Sequence, residues 1–180
     1  MDHRHHIIVL AIALLVAAGL TGHARATAVS VQPPDTTVNV DDEFALRIVT
    51  TSFTDLKGFD IVFSYDPTRL QFLGADPGDV LTGSGCSYAV YVVPDFAPPA
   101  DSAWYNAAVL VGSTSGPGIL SFYRFKALAK GQSPVTCQLV DFRDSYNVRY
   151  LPDCVSGLVR ITGPVPARPA TWGRLKTLYR

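Results

Sequence analysis

The sequence predicts an all-β domain, a β-sandwich or jelly roll of about nine strands, over residues 28–161. Three observations favour it: short apolar runs recur at regular spacing, turn-forming residues separate them, and no helical period appears before the last ten residues. Strands at this spacing are typical of sandwiches and jelly rolls. At 180 residues the chain has room for one well-buried domain with tails, and not for two domains of typical size.

The clearest predicted strand is residues 58–65. Its side chains alternate with a period of two, the inward set being Phe59, Ile61, Phe63 and Tyr65 and the outward set Asp60, Val62 and Ser64. Asp66 and Pro67 end it, because proline cannot continue a central ladder.

Turn residues bound the other predicted strands. Residues 28–32, closed by Pro33 and Pro34, a short edge piece at 37–40 and the alternating run 43–53 precede the clearest strand. The strands after it are residues 70–75, 87–93, 103–111, 119–128, 133–142 and 155–161. Between them we expect a turn at 76–79, a proline-rich loop at 94–101 and a glycine-rich loop at 112–118.

Residues 1–26 have the organisation of a secretory signal peptide. A polar start precedes an apolar run from Ile7 to Leu20, and the run Ala24-Arg25-Ala26 matches a small-x-small cleavage site. The alternative is an uncleaved anchor, but the 14 apolar residues fall short of the roughly 20 that span a bilayer. We therefore expect cleavage before Thr27, a secreted, extracellular or cell-surface protein, and no stable membrane span.

Composition divides the remainder into three parts. We expect a domain at 27–163, a stiff proline-rich linker at 164–171 and a basic, aromatic tail at 172–180. The tail has helical spacing but is too short for a stable isolated helix, so it either docks on surface-sorting machinery or is inert.

All four histidines, His3, His5, His6 and His23, lie in the predicted signal peptide. The processed chain would therefore lack the commonest general base and metal ligand, and could form no Ser-His or Cys-His nucleophile pair. We expect a protein that is not an enzyme, with no cofactor and no metal site.

Charge and cysteine content narrow the class further. Residues 27–163 hold nine Lys and Arg against fourteen Asp and Glu, and this acidic balance argues against nucleic acid as a partner. Export would permit a disulfide. Cys137 and Cys154 flank the last excursion between strands and are the favoured pair, with Cys86 bonded to either of them as the rival arrangement.

Three segments resemble cohesin domains. Residues 58–70, continued by 74–79, are similar to the third and fourth strands of that family, and Tyr65-Asp66-Pro67-x-x-Leu70 is the most specific part. Residues 118–127 are similar to the seventh strand, and residues 157–161 to the closing one. The resemblance implies a nine-stranded jelly roll that binds the calcium-loaded dockerin module of another protein and tethers it to a scaffold or cell surface.

The resemblance also implies a contact surface on the sheet of the third, fifth, sixth and eighth strands. Asp60 matches an aspartate of the third strand, and Ser64 shares its outward face. Gly58 stands where an asparagine is common in the family.

On the sixth strand, burial of Asn106 would demand hydrogen-bond partners at a cost of about 1 to 3 kcal/mol if they were absent. We therefore expect Asn106 and Trp104 to face outward, with Tyr105, Ala107 and Val109 in the core. The alternative is that Trp104 is core and Asn106 is satisfied inside. Tyr91 and Tyr88 are candidate contacts on the neighbouring strand.

Other readings remain open. Exposed aromatics at Trp104, Tyr88 or Tyr91 could stack on sugars, which would make the chain a carbohydrate-binding module with a polysaccharide partner. A plain structural or adhesive domain would show neither feature. The spaced oxygens of Asp141, Asp144 and Asn147 form a weak calcium candidate, because they lack the spacing of a known calcium motif.

Overall fold

The computed structural model describes residues 27–94 and 101–163. Eleven strands and one short helix lie within them, in the order β1 (Ala28–Gln32), β2 (Asp35–Asn39), β3 (Glu43–Ser64), β4 (Leu70–Pro77), α1 (Asp79–Thr82), β5 (Tyr88–Pro94), β6 (Ser102–Val109), β7 (Thr114–Ala127), β8 (Gly131–Asp144), β9 (Arg149–Tyr150), β10 (Asp153–Val155) and β11 (Gly157–Thr162). The predicted signal peptide, linker and tail, and most of the proline-rich loop, fall outside the described residues. Within those residues, no helix is both long enough and apolar enough to cross a membrane.

β3 is the central strand and crosses between the two layers of a sandwich. Its first half pairs with β1 and β7, and its second half pairs with β6 and β8. Register shifts relative to β7 occur between Ile48 and Val49, between Thr50 and Phe53, and between Phe53 and Leu56. Such bulges bend a strand without ending it. The two separate strands predicted at 43–53 and 58–65 are therefore wrong, because the chain turns between them and keeps its pairing.

Pairing to β3 defines both layers. One layer runs β4, β7, first half of β3, β1 and β10, and the other runs β5, β6, second half of β3, β8 and β9. The first part of β8 continues antiparallel to β11, which pairs in parallel with β2 from Leu158 opposite Asp35 to Thr162 opposite Asn39. The prediction of an all-β sandwich is confirmed.

Aromatic rings fill the space between the layers. Phe63 from β3 meets Tyr123 from β7 edge to face at 5.8 Å, and Tyr105 from β6 lies 6.4 Å from the same Tyr123 ring. The Tyr123 hydroxyl donates a 3.0 Å hydrogen bond to the carbonyl of Ile61. The inward set predicted for residues 58–65 is buried, and ring pairs at these separations add to the energy of burial.

The connections differ from the prediction in three places. Residues 76–79 do not form a simple turn, because β4 extends to Pro77 and α1 follows. Between β4 and α1 the backbone passes close to β7 at Gly78, since a Cβ atom at this position would lie 2.0 Å from the carbonyl oxygen of Ile119. β7 begins at Thr114, inside the predicted glycine-rich loop, and the short strands β9 and β10 were not predicted.

The cysteines are arranged as the sequence favours. Cys137 on β8 and Cys154 on β10 form a disulfide with 6.2 Å between their Cα atoms. Cys86 is the free cysteine, and its thiol donates to the carbonyls of Ser113 at 3.5 Å and Ser84 at 3.8 Å. The disulfide therefore fastens β10, which has only three residues, to the long strand β8.

Candidate binding face

The outer side of the layer β5, β6, β3, β8 and β9 carries the residues predicted for binding. Strand register aligns four of its side chains in one row across the sheet: Tyr91 on β5 lies opposite Asn106 on β6, Asn106 opposite Asp60 on β3, and Asp60 opposite Asp141 on β8. We call this outer side the Asp60 face. Its position follows from the period of two, which turns Phe59 and Ile61 inward and Asp60 outward.

Asp60 is held in place by its neighbours on β6. The side-chain amide of Asn106 and the indole N–H of Trp104, the latter at 3.4 Å, both donate to the Oδ1 atom of Asp60. Asp60 itself is only half-buried. The carboxylate is therefore oriented by two donors on a residue that is not fully buried, which is the arrangement expected of a preorganised acceptor.

Trp104 and Asn106 lie where the alternation along β6 places them. Both are half-buried on the Asp60 face, whereas Tyr105, Ala107 and Val109 on the other side are buried. Asn106 is satisfied by Asp60 at the surface, so the alternative with Trp104 in the core is wrong.

The remaining residues predicted to contact a partner lie farther from the cluster of Asp60, Trp104 and Asn106. Tyr91 is 67% exposed and continues the row beyond Asn106, whereas Tyr88 packs against the core. Ser64 lies at the far end of β3, where its hydroxyl accepts a 2.8 Å hydrogen bond from the Gln138 amide. The structure thus brings Tyr91, Trp104, Asn106 and Asp60 together and leaves Ser64 four residues along the strand.

Sequence reasoning missed two charged residues of this face, Arg143 and Arg149, and considered a third, Asp141, only as a calcium ligand. Asp141 lies opposite Asp60 with 8% of its side chain exposed, and one of its oxygens contacts Arg149 at 2.8 Å and Arg143 at 3.7 Å. Alternation of Asp141 and Arg143 about the apolar Phe142 could have placed both on one face. No sequence signal points to Arg149, because β9 has only two residues.

The calcium candidate is a turn held by its own hydrogen bonds. Asp144 accepts from the backbone N–H groups of Tyr146 at 2.9 Å and Val148 at 2.8 Å, and the Asn147 side chain accepts from Arg143. Asp141 is engaged by the arginines. Across residues 27–94 and 101–163, no cluster of three or more Asp, Glu, Cys or His side chains is arranged to hold a metal ion.

A separate groove of about 680 Å³ lies at one end of the sandwich, with Phe53, Asp55 and Tyr150 among its lining residues. Burial raises the pKa of Tyr150, and the charges of Asp144 and Asp55 raise it further. Neither Asp60 nor its hydrogen-bond donors line this groove. The Asp60 face is thus a sheet surface, which suits a macromolecule better than a small ligand.

Comparison with known proteins places the fold. No family model and no curated protein matches the chain. Among solved structures, it is similar to a non-cellulosomal cohesin from Archaeoglobus fulgidus, with a TM-score of 0.60 and 13% identity over 76% of this chain and 91% of that one.

Two further cohesins are equally similar. A type I cohesin from Clostridium thermocellum, solved in complex with a dockerin, matches with a TM-score of 0.63 and 13% identity over 77% of this chain and 95% of that one. A type II cohesin domain from the cellulosome of Acetivibrio cellulolyticus matches with a TM-score of 0.61 and 14% identity over 74% and 95%. The chain therefore has the jelly-roll β-sandwich fold of cohesins, as the sequence resemblance predicts.

Proposed function

We propose that this chain is a non-catalytic cohesin-like module that docks the dockerin-type module of another protein on its Asp60 face. One observation carries the proposal: Asp60, on the strand where the family resemblance expects a contact aspartate, is oriented by Asn106 and Trp104 on an open sheet surface. The cohesin fold supports it, since several structures of that fold were solved with a dockerin bound.

The proposal that the chain catalyses no reaction rests on its amino-acid composition. Residues 27–163 contain no histidine, and among the described carboxylates Asp35, Asp76 and Asp141 are paired with arginines. Binding is therefore the activity that these residues support best.

The location of this binding is outside the cell in our proposal. The amino-terminal pattern of residues 1–26 and the presence of a disulfide both favour export to the extracellular space or cell surface. A role in an assembly that degrades polysaccharide would be consistent with that location.

A carbohydrate-binding module would need a coplanar row of exposed aromatic rings. Tyr88 packs against the core, and the indole N–H of Trp104 is bonded to Asp60, so Tyr91 is the aromatic ring of the three with the freest surface. These placements favour protein over polysaccharide as the partner.

The test is capture of secreted proteins from the source organism on the immobilised full chain, with and without calcium. We expect calcium-dependent capture of dockerin-bearing proteins, and loss of capture with Asp60→Ala. Asp153→Ala, an exposed aspartate on β10, is the matched control and should leave capture unchanged. Retention on an insoluble polysaccharide without any captured protein would overturn the proposal.

A further inference from the structure

Beside Asp60, the same face carries an arginine pair that the proposed function does not use. Arg143 on β8 and Arg149 on β9 are directly opposite each other in an antiparallel ladder. Like charges in this position are unfavourable unless something compensates them. Their side chains remain 42% and 50% exposed, so both guanidinium groups reach solvent.

Asp141 compensates the pair only in part. Its single carboxylate contacts both arginines through the Oδ2 atom, at 2.8 Å to Arg149 and 3.7 Å to Arg143. The three groups together carry a formal charge of about +1, counting two guanidinium groups against one carboxylate. Arg149 contacts Asp141 through its Nε atom, so its two terminal nitrogens can donate hydrogen bonds to an external acceptor.

Small residues leave the pair open to a large partner. Continuing the row of Arg149 and Arg143 across the sheet, the next positions are Gly58 on β3, Ala108 on β6 and Ala89 on β5. No long side chain of this row stands between the arginines and a body resting on the sheet.

We propose that Arg143 and Arg149 form a carboxylate-binding site that determines partner specificity, and that they receive an Asp or Glu side chain of the docked protein. This inference rests on the proposed function for its biological partner. A guanidinium group binds a carboxylate through two parallel hydrogen bonds. A group with one negative charge suits the surplus of one positive charge, and the neighbouring Asp141 disfavours a dianion.

The face is therefore divided by charge. Its centre, at Asp60, accepts hydrogen bonds from donors, whereas its β9 edge donates them to an acid. A partner that satisfies both halves can sit in one orientation only, since reversal would place an acid on Asp60. The arginine pair thus selects among partners that Asp60 alone would accept.

The first experiment measures carboxylate binding directly. The arginine Nε–Hε signals of the full chain are followed by NMR while N-acetyl-glutamate N-methylamide is added, with the neutral glutamine analogue as the matched probe. We expect the acidic probe alone to shift Arg143 and Arg149, while Arg47, an exposed arginine on the first half of β3, stays unchanged. Equal shifts at Arg47, or equal shifts with sodium chloride at the same ionic strength, would overturn the site.

The second experiment measures recognition in the captured complex. Arg143→Gln and Arg149→Lys are made singly, because removing both cations would leave the buried Asp141 unpaired and could unfold the sheet. We expect each to weaken binding about tenfold, the loss equivalent to one charge-assisted hydrogen bond, while Arg47→Gln has no effect.

The two proposals fail separately. If Asp60→Ala abolishes capture and neither arginine variant changes it, the specificity site is wrong and the docking function stands. If the acidic probe binds the arginines and no dockerin-bearing protein is captured, the docking function is wrong and the carboxylate site stands.

Discussion

Removal of the disulfide between Cys137 and Cys154 offers a quantitative test of how the fold is stabilised. The bond closes a loop over a sequence separation of 17 residues. In the chain-entropy relation, a loop of this length reduces the freedom of the unfolded chain enough to contribute about 3 kcal/mol at room temperature. We therefore expect the double variant Cys137→Ala, Cys154→Ala to lose about 3 kcal/mol of unfolding free energy.

Urea unfolding followed by far-UV circular dichroism measures this change. Reduction of the wild-type chain should reproduce the loss, because it opens the same loop without altering side-chain packing. Cys86→Ser keeps the disulfide and should change stability by less than about 1 kcal/mol, since a thiol is a weak donor. A loss below about 1 kcal/mol on reduction would refute the entropic reasoning, and a loss seen only in the alanine variant would assign it to packing.

Three further results are expected. Tyr123→Phe should cost about 1 to 2 kcal/mol in urea unfolding, because it removes the buried hydrogen bond to Ile61; an unchanged midpoint would contradict that. Phe142→Ala should cost about 3 to 5 kcal/mol, since three aromatic rings pack on it, and a loss under about 2 would mean that the core collapses into the space. Hydrogen bonds from the Thr68 hydroxyl and backbone N–H lower the pKa of Asp66 below its usual 3.8. The resulting gain in unfolding free energy is fully present above the pKa that Asp66 has in the unfolded chain, and it is lost as the pH falls through the lowered pKa of the folded chain. Thr68→Val should therefore make the unfolding free energy depend less steeply on pH at the acid end. Parallel pH profiles of the variant and the wild-type chain would disprove the assignment.

Where one side of a strand is buried, local periodicity was sufficient to predict which side chains face outward. The alternation in residues 58–65 and in β6 placed Asp60, Trp104 and Asn106 on the outer face, because a shift of one residue would bury Asn106 and turn Tyr105 and Ala107 to the solvent. The energetic preference is contained within a few consecutive residues, so no long-range information was needed.

The pairing of strands that are distant in sequence could not be predicted from this local pattern. Asp141 suggested calcium binding when only its neighbours in sequence were considered, and its true contact, Arg149, arrives on a two-residue strand with no pattern of its own. The continuity of β3 was hidden for a related reason, since its bulges break the period of two at the residues between Thr50 and Leu56. Both features depend on which strands become neighbours.

The parallel pairing of β2 with β11 has a mechanical consequence. Tension from the amino-terminal end of the domain reaches β1 first and then the amino-terminal side of β2, whereas tension from the other end reaches the carboxyl-terminal side of β11 directly. Because the two strands run in the same direction over five paired positions, from Leu158 to Thr162, they would be drawn past each other in shear. Shear strains all the ladder's hydrogen bonds at once, whereas unzipping breaks them one at a time. The β2–β11 pair should therefore withstand tension along the chain better than an antiparallel hairpin of the same length, whose hydrogen bonds break in succession.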